Sequence, residues 1–322
     1  MSTGRKIVCI LVTLSVLLML YSFFMREGII HNRNYKPGYI LSNRIDADIV
    51  YLGACEPEWG ILPDTVKQYA GFTNFILGQF GADYAENFLT MRSYLTRQKN
   101  PRLVVIYATP ESFDESIANG FNSYRFAHLV PDDTIRSVVR DFDPAYAQWS
   151  HLPFMRYAWY SSHTFFKGVL GWGDRITGKK FTPDNAGSAV FPIPFEPGKD
   201  AVIIHGAPAK DFQWSNRRAK YFSQLISFLQ KQHIPVLLYE SPLWEKGDSL
   251  RHNRNEILAK IDSIAAVYQV PFKKFENKAI SSDSTNFFTI TNLSNKATGW
   301  FSKELGVYMR DSLQYLYPDE FK

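Results

Sequence analysis

The chain is poor in cysteine: 322 residues carry two, Cys9 and Cys55, and Cys9 falls inside an apolar N-terminal run. No disulfide framework can be built from them, so cysteine usage leaves the compartment open. Zinc-ligand spacing, a P-loop and a GxGxxG turn are all missing, and no metal or cofactor is expected. The sequence also lacks an excess of one charge. Removing residues 1–25, which carry Arg5, Lys6 and no acid, leaves 34 bases against 31 acids. That balance is too even and too unclustered for a nucleic-acid partner. Repeats and low-complexity tracts are absent too. A hydrophobic content of 45% with 16% aromatics supports a large core and argues against wholesale disorder.

What the chain does have is one long apolar run. Ile7 to Met25 is 19 residues without a charge, roughly 28 Å of helix against a hydrocarbon core about 30 Å thick. A cleaved signal peptide has a shorter apolar stretch and a small-residue exit. Here Tyr21, Phe23, Phe24 and Met25 close the run, a composition suited to a membrane interface. The run therefore predicts an uncleaved single-pass anchor over 1–25, a polar connector over 26–44 and a domain over 45–322. Arg5 and Lys6 lie before the run and Arg26, Arg33 and Lys36 after it, so charge alone does not settle orientation.

From residue 45 onward, short apolar strands alternate with amphipathic helices. Strands are expected at Ile49–Leu52, near Phe72–Ile76, at Arg102–Ala108, over the stretch "IPVLLYESP" and at "VPFKKF". Helices are expected at Asp83–Lys99, Ser215–Gln232, Glu256–Tyr268 and Asn295–Leu316, with apolar stripes at spacings of three and four. Strands apolar throughout and separated by helices predict a mainly parallel sheet covered on both faces, a three-layer α/β/α sandwich. Ligands of such sheets sit at the carboxyl ends of the strands. Gly53–Cys55, Ala108–Glu111 and Glu240–Pro242 lie at three such ends.

Residues from about 110 to 212 break the alternation. They include Pro- and Gly-rich turns and a dense aromatic segment, "PAYAQWSHLPFMRYAWYSSHTFF". Two readings stand: a lid or face docking on glycan, membrane or partner, or a secondary core beneath a long insertion.

With the order of elements in place, four stretches resemble motifs of the SGNH/GDSL hydrolase superfamily. The likeness is to membrane-anchored envelope members similar to D-alanyl lipoteichoic acid transfer protein D and the alginate O-acetylation proteins. Gly53-Ala54-Cys55 aligns with the Gly-Asp-Ser nucleophile triplet, and "WGILP" with the segment that follows it. "ILGQFGADYAENF" resembles the second motif, with Gly81 as the oxyanion glycine. "RLVVIYATPESF" is similar to the third motif region, and "FFTITNLSNKATGWFSKELG" to the closing motif. The likeness spans roughly 45–112 and 213–316.

The resemblance implies a flavodoxin-like sheet and a domain outside the cytoplasm on an inner-membrane anchor. It also implies an MBOAT-type membrane acyltransferase as partner and an envelope glycan as the polymer acted on. It further implies site positions at Cys55, Gly81, Thr109 and Asn292. The chemistry at those positions is altered. The closing Asp and His of the family fall on Thr291 and Asn292, and the nucleophilic serine on Cys55. The third-motif asparagine has no counterpart, Thr109 being the nearest polar residue. Asparagine can neither take nor return a proton, and loss of a triad's base costs on the order of 10⁴–10⁶ in turnover. The expectation is a catalytically degenerate domain that binds or positions an acyl-bearing glycan. The alternative is a cysteine-dependent acyltransferase or esterase with Cys55 as nucleophile and a base drawn from the insertion or a partner, where His128, His151, His163 and His205 lie.

Overall fold

The computed structural model describes residues 2–32, 35–42, 45–116, 121–178, 187–188, 211–248 and 252–317. The chain begins with α1 (Thr3–His31) and α2 (Lys36–Ser42). It continues through β1 (Ile49–Leu52), α3 (Cys55–Gly60), α4 (Pro63–Ala70), β2 (Asn74–Ile76), α5 (Tyr84–Leu95) and β3 (Leu103–Tyr107). Helices α6 (Asp133–Phe142), α7 (Pro144–Trp149), α8 (Met155–Ala158) and α9 (Ser161–Thr177) follow. The last elements are α10 (Asn216–Lys231), β4 (Val236–Glu240), α11 (Glu245–Asp248), α12 (Arg254–Val267), β5 (Phe272–Lys274), α13 (Lys278–Ser281) and α14 (Asn295–Leu316). By compactness the chain divides into two units, Met1–Arg44 with Phe121–Thr182, and Ile45–Gly120 with Pro183–Lys322.

The second unit is an α/β domain around a five-stranded sheet in the order β2-β1-β3-β4-β5, every pairing parallel. Each residue of β1, β3 and β4 is buried, as expected when helices cover both faces. Alternation divides the strand side chains between two cores. Ile49, Tyr51, Val105, Tyr107, Leu237 and Tyr239 share one cluster with Val66 of α4 and with Leu305 and Met309 of α14. On the other face α5 packs with α10, where Tyr84 and Phe222 rings lie 4.6 Å apart.

The predicted elements recur with ends shifted by a few residues at most, and two of the shifts have a visible cause. Asp83 accepts a hydrogen bond from Glu86 N at 2.9 Å and so caps α5 instead of joining it. Ser215 does the same for α10 through Arg218 N. Side-chain oxygens that satisfy the free N–H groups of a first turn set where a helix starts.

The first unit is helical. α1 is long and apolar enough to cross a membrane, and it continues past Met25 to His31, so residues 26–31 are helix and not connector. Residues 121–178 of the expected insertion belong to the same unit, with α9 lying against α1. The aromatic segment is divided: Tyr146 and Tyr157 are buried, whereas Trp149, Trp159, Phe165 and Phe166 are exposed. A secondary core therefore accounts for only part of it. Most of "TPDNAGSAVFPIPFEPGKD" lies outside the described residues.

Candidate functional site

At the end of β1 the backbone passes through Gly53 with φ +154°. A Cβ there would stand 2.8 Å from Pro57 Cγ and 2.9 Å from Tyr107 Cβ, so the position takes glycine alone. Gly53 N donates to Asn87 Oδ1 at 3.1 Å. Two residues on, Cys55 opens α3, and the Asn292 side chain stands close enough to its thiol to favour the ionised form. The Asn292 Nδ2 donates to Thr289 Oγ1 at 2.9 Å, while Oδ1 has no partner among the described residues. The fold thus joins two of the four expected site positions.

The other two differ. Gly81 sits between β2 and α5 at φ +69°, a left-handed conformation natural to glycine, and its neighbour Ala82 lines the cavity described below. Thr109 is engaged elsewhere. Its Oγ1 lies 2.8 Å from Glu111 Oε2 and 3.0 Å from Glu240 Oε1. A hydroxyl has one proton, so these two contacts together require a further proton on one carboxyl group. The Thr109 hydroxyl is thus directed at these two carboxyl groups and does not line the cavity described below.

Beside Cys55, at the carboxyl edge of β1 and β3, is a cavity of about 190 Å³ bordered by Glu56, Asp83, Tyr84, Asn87, Glu111 and Arg218. Burial, reinforced by the neighbouring Glu111 carboxylate, pushes Glu56 up to about 7, against hydrogen bonds from Cys55 and Thr291. Its Oε2 is out of solvent and without a partner among the described residues. Burial also pushes the Cys55 thiol strongly up. Glu56 adds to the rise, and Asn292 opposes it without offsetting it. The thiol is therefore protonated at neutral pH. Asp83 is raised by burial as well, opposed by the Glu86 N–H and by Arg218. Across Thr109, burial lifts Glu240 to about 7 even though Arg254 Nη2 is 2.8 Å from its Oε1.

The segments that carry Cys55, Gly81 and Asn292 also bring three aromatic rings together. Trp59 of α3 stacks on Phe80 at 5.2 Å and 20°, and meets Phe288 edge-on at 6.0 Å. Phe288 N donates to Asn292 O at 2.7 Å, and Glu58 Oε2 accepts from Phe80 N at 2.7 Å. Phe80 is 60% exposed.

Glu56 directly follows Cys55 in sequence, where it is expected to oppose thiolate formation if near the sulfur, and it does so here. The rest of the lining escaped the sequence reading: Glu111 stood inside a quoted motif without a family role, and Arg218 and Asp83 look like ordinary first-turn helix residues. Among the described residues no histidine lines the cavity, and no group of three His, Cys, Asp or Glu is arranged to hold a metal. His205 lies outside the described residues. The arrangement can bind and orient a small group, and of the described residues it is Glu56, not a histidine, that stands beside the sulfur as a titratable group.

No family model matches the chain, and no curated protein matches it. Among solved structures it is similar to a Bacteroides fragilis protein described as a "putative acylhydrolase", with a TM-score of 0.35 and 10% identity over 87% of this chain and 89% of that one.

Proposed function

We propose that this chain is a membrane-anchored, SGNH-hydrolase-like protein of the extracytoplasmic face that binds an acyl-bearing envelope glycan without hydrolysing it. The observation that carries the reading is the apposition of Cys55 and Asn292. The residues standing where a nucleophile and its base are expected meet at the carboxyl edge of a parallel sheet of order 2-1-3-4-5. Ligands of doubly wound sheets bind at that edge. Neither residue can do the work of hydrolysis there: the thiol is held protonated, and a carboxamide has no proton-accepting nitrogen at accessible pH.

Two further features support binding. The cavity beside Cys55 is lined by carboxyl, amide, hydroxyl and guanidinium groups that can hydrogen-bond the polar groups of a sugar or acyl ester. The Trp59–Phe80–Phe288 cluster offers flat apolar faces of the kind on which a sugar ring can stack. An MBOAT-type acyltransferase is the partner that the sequence resemblance favours. The cysteine-dependent alternative needs a thiolate, and burial together with Glu56 opposes its formation.

The test uses the full-length chain in nanodiscs. Titration calorimetry with O-acetylated and deacetylated oligosaccharides should register binding that prefers the acetylated form. Assays with p-nitrophenyl acetate and with the acetylated oligosaccharide should find no turnover above that of Cys55→Ala. Ester hydrolysis or acyl transfer that disappears in Cys55→Ala would overturn the proposal.

A further inference from the structure

The first unit carries a helix with two unlike sides, both of them poor in charge. One side of α9 packs on α1: Gly168 and Gly171 stand against the backbone of Gly28, and Asn32 Nδ2 donates to Lys167 O at 2.9 Å. Lower down α1, Trp172 stacks on Phe24 at 5.2 Å and donates to Phe24 O at 2.7 Å. Lys167 beside Asn32 and Trp172 beside Phe24 mean that the two helices run in opposite directions.

The other side of α9 is apolar and uncovered. Phe165, Phe166, Val169, Leu170 and Ile176 are all exposed, Ile176 to 79%. None of the helix's three charged residues, Lys167, Asp174 and Arg175, lies among them. A helix that packs on one side and shows apolar residues on the other fits neither a surface helix nor a core helix of a water-bathed domain.

Its location identifies what covers it. α1 has 29 residues, about 43 Å of helix, whereas a bilayer's hydrocarbon core is about 30 Å thick. The last turns of α1 therefore stand in the headgroup layer. Charge appears there, as Arg26 and Glu27, with Glu27 Oε2 paired to Arg175 at 3.2 Å. Trp172 and Arg175 at this level, with exposed Trp149 and Trp159 in the same unit, match the aromatic and basic residues of membrane interfaces. The exposed apolar surface of α1 meets that of α9 at the Phe24–Trp172 stack.

We propose that α9 is an interfacial membrane helix whose apolar face lies in the headgroup–acyl boundary of the bilayer that α1 crosses. The proposal rests on α1 being the membrane span. Helices of this kind bury their apolar face about 5–10 Å into that boundary.

The test uses the full chain with Cys9→Ser and Cys55→Ala, carrying one added cysteine at a time for an environment-sensitive fluorophore. The added sites are Phe166→Cys, Leu170→Cys, Ile176→Cys, Leu14→Cys within α1, and Asp133→Cys, where the native side chain is 94% exposed. In phosphatidylcholine nanodiscs the labels at 166, 170 and 176 should emit at blue-shifted wavelengths and be quenched by doxyl-bearing lipids, with the label at 133 unaffected. Water-like emission at all three sites overturns the proposal. So does blue-shifted emission that doxyl lipids leave unquenched, because a protein surface then covers the face. If the label at 14 is not quenched, the span of α1 fails and the proposal with it.

Discussion

The Asn292 side chain faces the Cys55 thiol where β1 gives way to α3. Asn292 favours ionisation of the thiol, while burial and Glu56 push the other way and prevail. Alkylation by iodoacetamide at pH 7 should therefore be at least about tenfold slower than for a free thiol of pKa near 8.5, and should still be rising above pH 9. Asn292→His puts a group that can be cationic beside the sulfur and should raise the pH 7 rate by about tenfold or more. Equal rates for the two proteins would show that the side chain at 292 does not act on the sulfur.

Glu56 titrates near 7 in the folded chain against an ordinary value of 4.5. The folded state then holds more protons than the unfolded state between those values, so stability falls as pH rises from about 4.5 to 7. Glu56→Gln removes a charge that burial and Glu111 disfavour. It should leave stability at pH 4 nearly unchanged and raise it at pH 8 by about 1–3 kcal/mol. Urea denaturation at the two pH values reads the difference, and an unchanged pH slope in the variant would refute the assignment.

Strand positions were legible in the sequence because a strand buried on both faces is a short apolar run, as in "IVYL" and "VLLYE". Helix starts were nearly as clear, falling within two residues of those expected, with Asp83 and Ser215 proving to be caps. The pairing of Cys55 with Asn292 was reachable only through motif resemblance, since no local pattern links a turn after β1 to a loop before α14. The elevated Glu56 was hidden because its cause is burial, and a carboxylate in sequence carries no mark of its surroundings. The joining of residues 121–178 to α1 was equally hidden. It depends on Gly28, Gly168 and Gly171, and close backbone contact between glycines adds nothing to a hydrophobic period.

Arg254 and Glu240 form a buried pair, with side chains 16% and 4% exposed. Removing one partner of such a pair leaves an uncompensated charge and typically costs about 3–5 kcal/mol. Arg254→Met should destabilise the domain by that order at pH 8. The loss should shrink toward pH 5, where Glu240, already lifted to about 7 with Arg254 present, takes up a proton. Glu240→Gln combined with Arg254→Met should recover much of the loss. A cost independent of pH would mean that Arg254 acts by packing and not by charge.

Phe80 is exposed yet stacked on Trp59, so truncating it tests binding with little risk to the fold. Phe80→Ala should weaken the acetylated oligosaccharide by about fivefold to tenfold, the scale of one aromatic contact, and leave the urea midpoint within error. Unchanged affinity would exclude the aromatic cluster from the ligand site.

Gly28 and Gly4 lie in one helix and predict opposite signs for one substitution. Alanine is the better helix former by about 1 kcal/mol, so Gly4→Ala should be neutral or stabilising, because nothing lies within 4 Å of a Cβ there. At Gly28 a Cβ would run into the carbonyl oxygen and Cα of Gly168. These are backbone atoms of a packed helix and cannot rotate aside. The helices must part, and forcing an extra methyl into a close-packed contact costs about 1–3 kcal/mol, outweighing the gain in propensity. Hydrogen exchange of the α9 amides in nanodiscs should therefore accelerate in Gly28→Ala and stay unchanged in Gly4→Ala. If both variants exchange like the parent, α9 is not held against α1 through its glycines, and the seating of its apolar face at the membrane loses its support.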